Sequence, residues 1–330
     1  MGIGNHSRGW GHVDGEDEYS GGGKGGDGGG LTQEERLYRF RFSIPEPNPK
    51  PGKDGKIRRP NLVKPGSPAT KRVLFLDGVP YSFFEHSLWN MRDVYSVMGA
   101  FTAPCLKRNT FRNEDGSLFD KGCPVCHEKG GNRFPAYAGT FTVIDMGQVE
   151  YIDGKVKLHH EPWENDKGER FYRKFQKVLL TAKRGSNDNP GPLKMLHFEM
   201  ETLRREQGID DLSGTVWDTT RMGKRSHGVG DKWRFVRKLN GEAEIRDYLV
   251  RFGAEEENLD LEIPVLDLEE PGTVFYVDPQ KMYDKMCRLV GWGGSQSSER
   301  QRGEASGAGF DGEEDSSGGP EDDGQQDIPF

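Results

Sequence analysis

Three of the four cysteines in this chain lie between Cys105 and Cys126, and two of them form a Cys123-Pro-Val-Cys126 knuckle. A C-x-x-C turn offers two thiolates from one bend and needs two further ligands to close a tetrahedron. Cys105 and His86 upstream complete a Cys₃His set, one of the closed structural zinc sites. The intervals between these ligands exceed those of a short zinc finger, so one zinc ion would clip a larger domain. His86 takes the fourth place ahead of His127, His159 and His160, and His127 is awkward because it adjoins Cys126. A thioredoxin-type redox motif belongs between a strand and a helix of a βαβ unit, a pattern not read here. Three thiolates make a soft, closed site with no H-x-E general base beside it, which argues against catalysis by the metal.

The chain is too polar for one core to run its whole length. Of 330 residues 32% are apolar and 46 are glycine, so part of the chain lies outside any core. Residues 1–30 form a Gly-rich arm and residues 293–330 an acidic Gly/Ser tail, both expected to be disordered. No apolar run approaches the ~20 residues that span a bilayer, and the start lacks a signal-peptide core, so a cytoplasmic location without membrane contact is expected. Few cysteines, mostly clustered, suit a reducing compartment. Cys287 reads as a small buried hydrophobe in a helix.

Net charge is −8, but its distribution matters more than its sign. Eight acids and no base fall in residues 311–330; of the chain's 54 acids the other 46 equal its 46 bases. Residues 36–75 carry eleven Lys or Arg against Glu46 and Asp54 alone. The front is basic and the tail acidic.

Between the ends the pattern is mainly β with some α. Leu37–Ile44 and Lys71–Gly78 read as strands, and Tyr81–Val97 as a helix with Phe84, Leu88, Met91 and Tyr95 on one stripe. Ala136–Met146 and Val149–His159 read as two β runs, the second turning at Asp153-Gly154. Leu193–Gln207 has helical spacing and stops at Gly208. A final hairpin flanks the basic loop RMGKRSHGVG. Short strands with one helix before the last hairpin fit an OB-like Greek-key barrel spanning residues 31–240, with the zinc clip inserted. Residues 241–292 hold two helices joined by a stretch of strand character, which either completes the core or forms an acidic lobe.

Aromatics interleave with bases in three places. Arg39, Arg41 and Phe42 lie in the first, and Arg170, Tyr172, Arg173 and Lys174 in the second. Arg221, Lys224, Arg225, Lys232, Trp233 and Arg234 surround the hairpin loop. Exposed bases of a single strand stack on aromatic faces while cations follow the phosphates. Alternating strands also place rings inward and charges outward, which accounts for about half of these positions on packing grounds alone. The chain finishes at Asp327-Ile328-Pro329-Phe330, where an apolar pair and a carboxylate form a workable peptide anchor for a partner protein.

The DIPF end resembles the acidic tip of bacterial single-stranded DNA-binding proteins. The resemblance implies recruitment of replication and recombination proteins (a polymerase, helicase, primase or nuclease) and weak competition with DNA. The His86…Cys105…Cys123-x-x-Cys126 order, followed by a basic aromatic β region, resembles the zinc-containing OB-fold single-stranded DNA-binding proteins of T-even and related phages. The gaps between ligands are longer here, and that family's N-terminal cooperativity arm has no clear counterpart. The resemblance covers about residues 31–240 by arrangement and implies a host-cytoplasm setting.

The resulting expectation is a non-enzymatic single-stranded DNA-binding protein serving DNA replication, recombination and repair. Its rivals are a zinc-dependent nucleic-acid enzyme and a zinc-ribbon interaction protein that never touches DNA.

Overall fold

Residues Ala136–Ile152 form one strand of 17 residues, β4, on which the sheet is assembled. Threonine, valine, isoleucine and aromatic side chains recur along it, the residues that fit a pleated surface. Along one edge β4 pairs with β2 (Tyr81–Ser87) and then β1 (Ala69–Phe75); along the other it pairs with β8 (Gln176–Lys183) and then β5 (Lys155–His159). All four pairings are antiparallel. β9 (Thr215–Arg221) and β10 (Lys232–Lys238) extend the sheet beyond β1, and β3 (Thr102–Pro104) extends it beyond β2. The result is mainly β, an open sheet of eight strands, with a separate β6–β7 pair (Glu161–Glu164, Arg170–Arg173). This computed structural model describes residues 41–292 apart from 52–56, 58–59, 89–90, 92–93, 99–101, 114, 128–133, 165–169, 186–189, 225, 271–272 and 274–275. The Gly-rich arm, the acidic tail and most of the strand expected at Leu37–Ile44 lie outside these residues.

The two β runs expected around residue 147 are one strand with a bend. Pairing with β1 slips between Arg72 and Val73, so Met146 has no partner there and the ladder bulges. Gly147 sits at the bulge with φ 98°, and a Cβ on it would lie 2.6 Å from the His159 carbonyl oxygen. Only glycine fits there without strain. Asp153 and Gly154, with φ of 49° and 75°, then turn the chain into β5, as the Asp-Gly signal predicts.

Both faces of the central strands are buried, so successive residues serve different cores. Val73 and Phe75 join Phe42, Ile44, Phe141, Leu180, Trp217 and Trp233 on one face. Helix α3 (Pro192–Gln207) closes this core with Leu196 and Leu203, ending at Gly208 in the left-handed region as its sequence predicts. Leu74 joins Ile144, Met146, Val216 and Leu239 on the other face, covered by Tyr248 and Leu249 of α4 (Gly241–Arg251). Phe42 N–H donates to the Leu179 carbonyl at 2.9 Å and Ile44 N–H to the Gly228 carbonyl at 2.7 Å. Residues 42–44 thus link β8 to the β9–β10 loop.

A third core surrounds the cysteines. It gathers Phe83, Leu88, Met91, Val94, Met98, Phe111 and Val125 with Met282 and Met286 of α5 (Pro279–Leu289). Tyr81–Ser87 is a strand and not the first half of a helix; among the described residues of the expected helix only α1 (Val94–Met98) is helical. The stripe Phe84, Leu88, Met91 has helical spacing, but β4 and β3 lie on either side of Tyr81–Ser87 and take up its backbone groups. Tertiary pairing overrides the local pattern. Residues 259–268 form no strand either. Pro264 lacks an N–H, and the segment runs from Leu259 in the second core to Leu268 in the third. Lys177 holds it on the way, donating to Asp260 and, at 2.8 Å, to the Glu262 carbonyl. Cys287 is half-buried where full burial was expected. Met282 and Met286, four apart, turn inward, and Cys287 points about 100° away from Met286. Among the described residues no helix is long and apolar enough to cross a membrane.

Candidate functional site

Strand pairing builds half of the cysteine site. On the β2–β3 ladder His86 stands opposite Ala103, and Cys105 follows two residues later on the same face. Cys105 N–H donates to the Phe84 carbonyl at 2.8 Å, while Asn109 accepts from Phe84 N–H and donates to the Phe84 carbonyl, each at 2.7 Å. The other half is the knuckle, where Cys126 N–H closes onto the Cys123 carbonyl at 3.1 Å at the start of the four-residue helix α2 (Pro124–His127).

His86 Nε2 lies 3.3 Å from Cys123 Sγ and 3.5 Å from Cys126 Sγ, and Cys105 Sγ lies 3.5 Å from Cys126 Sγ. All four ligand atoms fall within 4.8 Å of one another. The sulfurs are unbonded thiols. His86, Cys105 and Cys123 are buried, Cys126 partly so. This set could hold one metal ion. Neither His159 nor His160 belongs to it: His159 Nε2 bonds Glu150 at 2.8 Å, and the His160 ring lies against Phe175. His127 is exposed against Trp292.

The thiols are inequivalent. The Cys123 thiol is pushed up to about 11, first by its hydrogen bond with Cys105 and then by burial. The same hydrogen bond lowers Cys105, and burial raises Cys126. A cation at the centre would lower all three thiols, because thiolate ligands bind metal only when deprotonated.

The basic and aromatic residues divide sharply. Phe42 and Trp233 are buried in the first core, 2% and 7% exposed, so neither presents a ring face for stacking; this corrects their expected place among the DNA contacts. Arg41 is half-buried on the bridge to Leu179, with Nε and Nη2 lacking partners among the described residues. Arg221 is committed locally. It donates to Glu46 at 3.1 Å and to the Ile44 and Lys224 carbonyls, so it pins the loop and is not a free cation. Lys174, Lys224, Lys232 and Arg234 are exposed. Arg170, Tyr172 and Arg173 lie on β7, paired with β6. Arg39, Arg225 and the tip Asp327, Ile328, Pro329 and Phe330 lie outside the described residues.

Two arrangements escape a reading of the sequence. In the first, Arg234 lies with its guanidinium 4.7 Å from the ring centroid of Tyr151, a residue 47% exposed. Asp218 on β9 stands opposite Arg234 on one side and Arg72 on the other. Arg72 meets Asp218 with a two-bond fork at 2.8 and 3.0 Å, and both side chains are almost fully buried. Burial opposes the charge of Arg72, but Asp218 outweighs it and leaves the guanidinium pKa raised. In the second, Arg108 lies 6.0 Å from the Phe84 centroid, and Phe84 meets Tyr137 edge-on at 5.4 Å beside the cysteines. Only strand register and loop anchoring bring these residues together, which no local spacing announces.

Comparison with known protein families, curated proteins and solved structures gives no match to this chain.

Proposed function

We propose that this protein binds single-stranded DNA without strong sequence preference, acting in replication, recombination and repair as a binding protein and not an enzyme. The carrying observation is the alternation of β10, where Lys232 and Arg234 are exposed and Trp233 between them is buried. Half-exposed Tyr151 beside Arg234 lengthens this face, and exposed Lys224 lies on the adjoining loop. Cations beside open ring faces are what a single strand needs for its phosphates and bases.

The metal reads as structural zinc, held by His86, Cys105, Cys123 and Cys126. Tetrahedral Zn–S bonds of about 2.3 Å place sulfurs about 3.8 Å apart, near the 3.5 Å between Cys105 and Cys126. Bound there, zinc would supply folding energy by tying the β2–β3 hairpin to the knuckle. An OB-like barrel is supported by the link that residues 42–44 make between β8 and the β9–β10 loop. The likeness to zinc-containing phage single-stranded DNA-binding proteins, and recruitment of replication proteins by the acidic tail through Phe330, belong to this same reading.

Fluorescently labelled oligo-dT titrated with the full chain tests it. Binding is expected to prefer the single strand over duplex and to weaken steeply with salt through counterion release. Salt-independent binding, or equal affinity for duplex, overturns the reading. Deleting residues 327–330 is expected to leave DNA binding intact while abolishing association with tail-binding replication proteins.

A further inference from the structure

We infer that Arg234 and Tyr151 form a stacking layer for one nucleobase, and that Asp218 is the positioning residue that holds the layer in place. The inference rests on the single-strand reading above and names the contact within it.

Four donors converge on one carboxylate. Arg72 occupies Asp218 through Nε and Nη2; Arg234 Nη2 and the Tyr151 hydroxyl both donate to Oδ2. Arg72 is itself fixed, donating to the Tyr151 hydroxyl at 3.2 Å and to the Tyr248 hydroxyl at 3.5 Å. Asp218 and Arg72 are 2% and 3% exposed, whereas the Arg234 side chain is 62% exposed. A long arginine on a sheet surface ordinarily samples many rotamers, and ordering it opposes binding. Here the buried pair has already ordered it. The exposed end is a planar guanidinium over a tyrosine ring, 4.7 Å from its centroid, a surface on which a base stacks by π contact and cation–π attraction. Neighbouring Lys232 supplies charge for a phosphate.

A general surface cation would act through charge alone; a stacking layer needs the planar fork. Lysine keeps the charge and loses the plane, so the two roles separate. Arg234→Ala is expected to weaken oligo-dT binding about tenfold. Arg234→Lys is expected to recover little of that loss while restoring the slope of affinity against salt. Asp218→Asn is expected to weaken binding by a similar factor, and the double variant Asp218→Asn/Arg234→Ala to be no weaker than Arg234→Ala alone. Because Asp218→Asn strips Arg72 of its partner, Tyr151 is also read in the wild-type chain, as the mapped site of photocrosslinking to an oligonucleotide bearing 5-iododeoxyuridine. Full rescue by lysine, additive losses in the double variant, or crosslinking that bypasses Tyr151 overturns this inference while leaving single-strand binding in place. Failure of the wild-type chain to bind oligo-dT overturns both.

Discussion

Cys123 Sγ lies 3.3 Å from His86 Nε2, although 37 residues separate them in the chain. Around that contact are two more thiols and a core that includes Met286 Sδ at 3.9 Å from Cys123 Sγ. Removing a ligand therefore disturbs packing as well as coordination. The wild-type chain is expected to carry one zinc per molecule by elemental analysis, and Cys123→Ser to lose it. The melting temperature of the variant should fall by about 10 °C. A wild-type chain whose melting is unmoved by chelator would count against a structural metal here.

Phe42 tests the division between core and surface. Its ring is buried with Val73, Phe75 and Trp217. Phe42→Ala is expected to cost about 3–5 kcal/mol in denaturant unfolding, with oligo-dT affinity unchanged where the protein remains folded. Lost affinity at undiminished stability would return Phe42 to the binding surface.

Asp278 caps α5, accepting from Gln280 N–H and Lys281 N–H, each at 3.0 Å. Burial opposes the carboxylate, but the contacts with Lys281 and Gln280 prevail and hold its pKa below the ordinary 3.8. A lowered folded-state value gives stability that is present above the unfolded pKa and lost as pH falls through the folded one. Asp278→Ala is expected to cost about 1 kcal/mol near neutrality, with the gap to wild type closing below pH about 4. Solvent screening keeps the ionic share small. Urea melts at pH 7 and pH 3 read this directly; a gap that widens in acid contradicts the cap's ionic part.

Gly147→Ala places a Cβ against the His159 carbonyl at a positive-φ position. The substitution is expected to destabilise by about 2 kcal/mol or more, seen as a shifted unfolding midpoint with an unchanged slope. A neutral result would mean that the β4 bend can relax.

Part of this molecule was legible in its sequence because the signals were local. Gly208 ended its helix, Asp153-Gly154 turned its hairpin, and the strands β9 and β10 flanked a basic loop. The cysteine set was legible for another reason: few side chains other than metal ligands cluster as His, Cys and a C-x-x-C knuckle. Tyr81–Ser87 misled because the Phe84–Leu88–Met91 spacing suits a helix, while the strands that claim the segment lie far along the chain. Phe42 and Trp233 misled because a basic neighbour says nothing about which face of a two-sided sheet a ring occupies. Tyr151 and Asp218 were invisible, since their meaning comes from register across β10, β9, β1 and β4.

β4 touches four strands, two on each edge, and bends once between them. One residue inserted anywhere in its central stretch would turn the following side chains to the opposite face of the sheet, exchanging the cores on both sides at the same moment. A surface loop that no other element holds can lengthen and leave the rest of the protein as it was. β4 cannot, so variation in length among descendants of this chain should collect around this strand and stop at its ends.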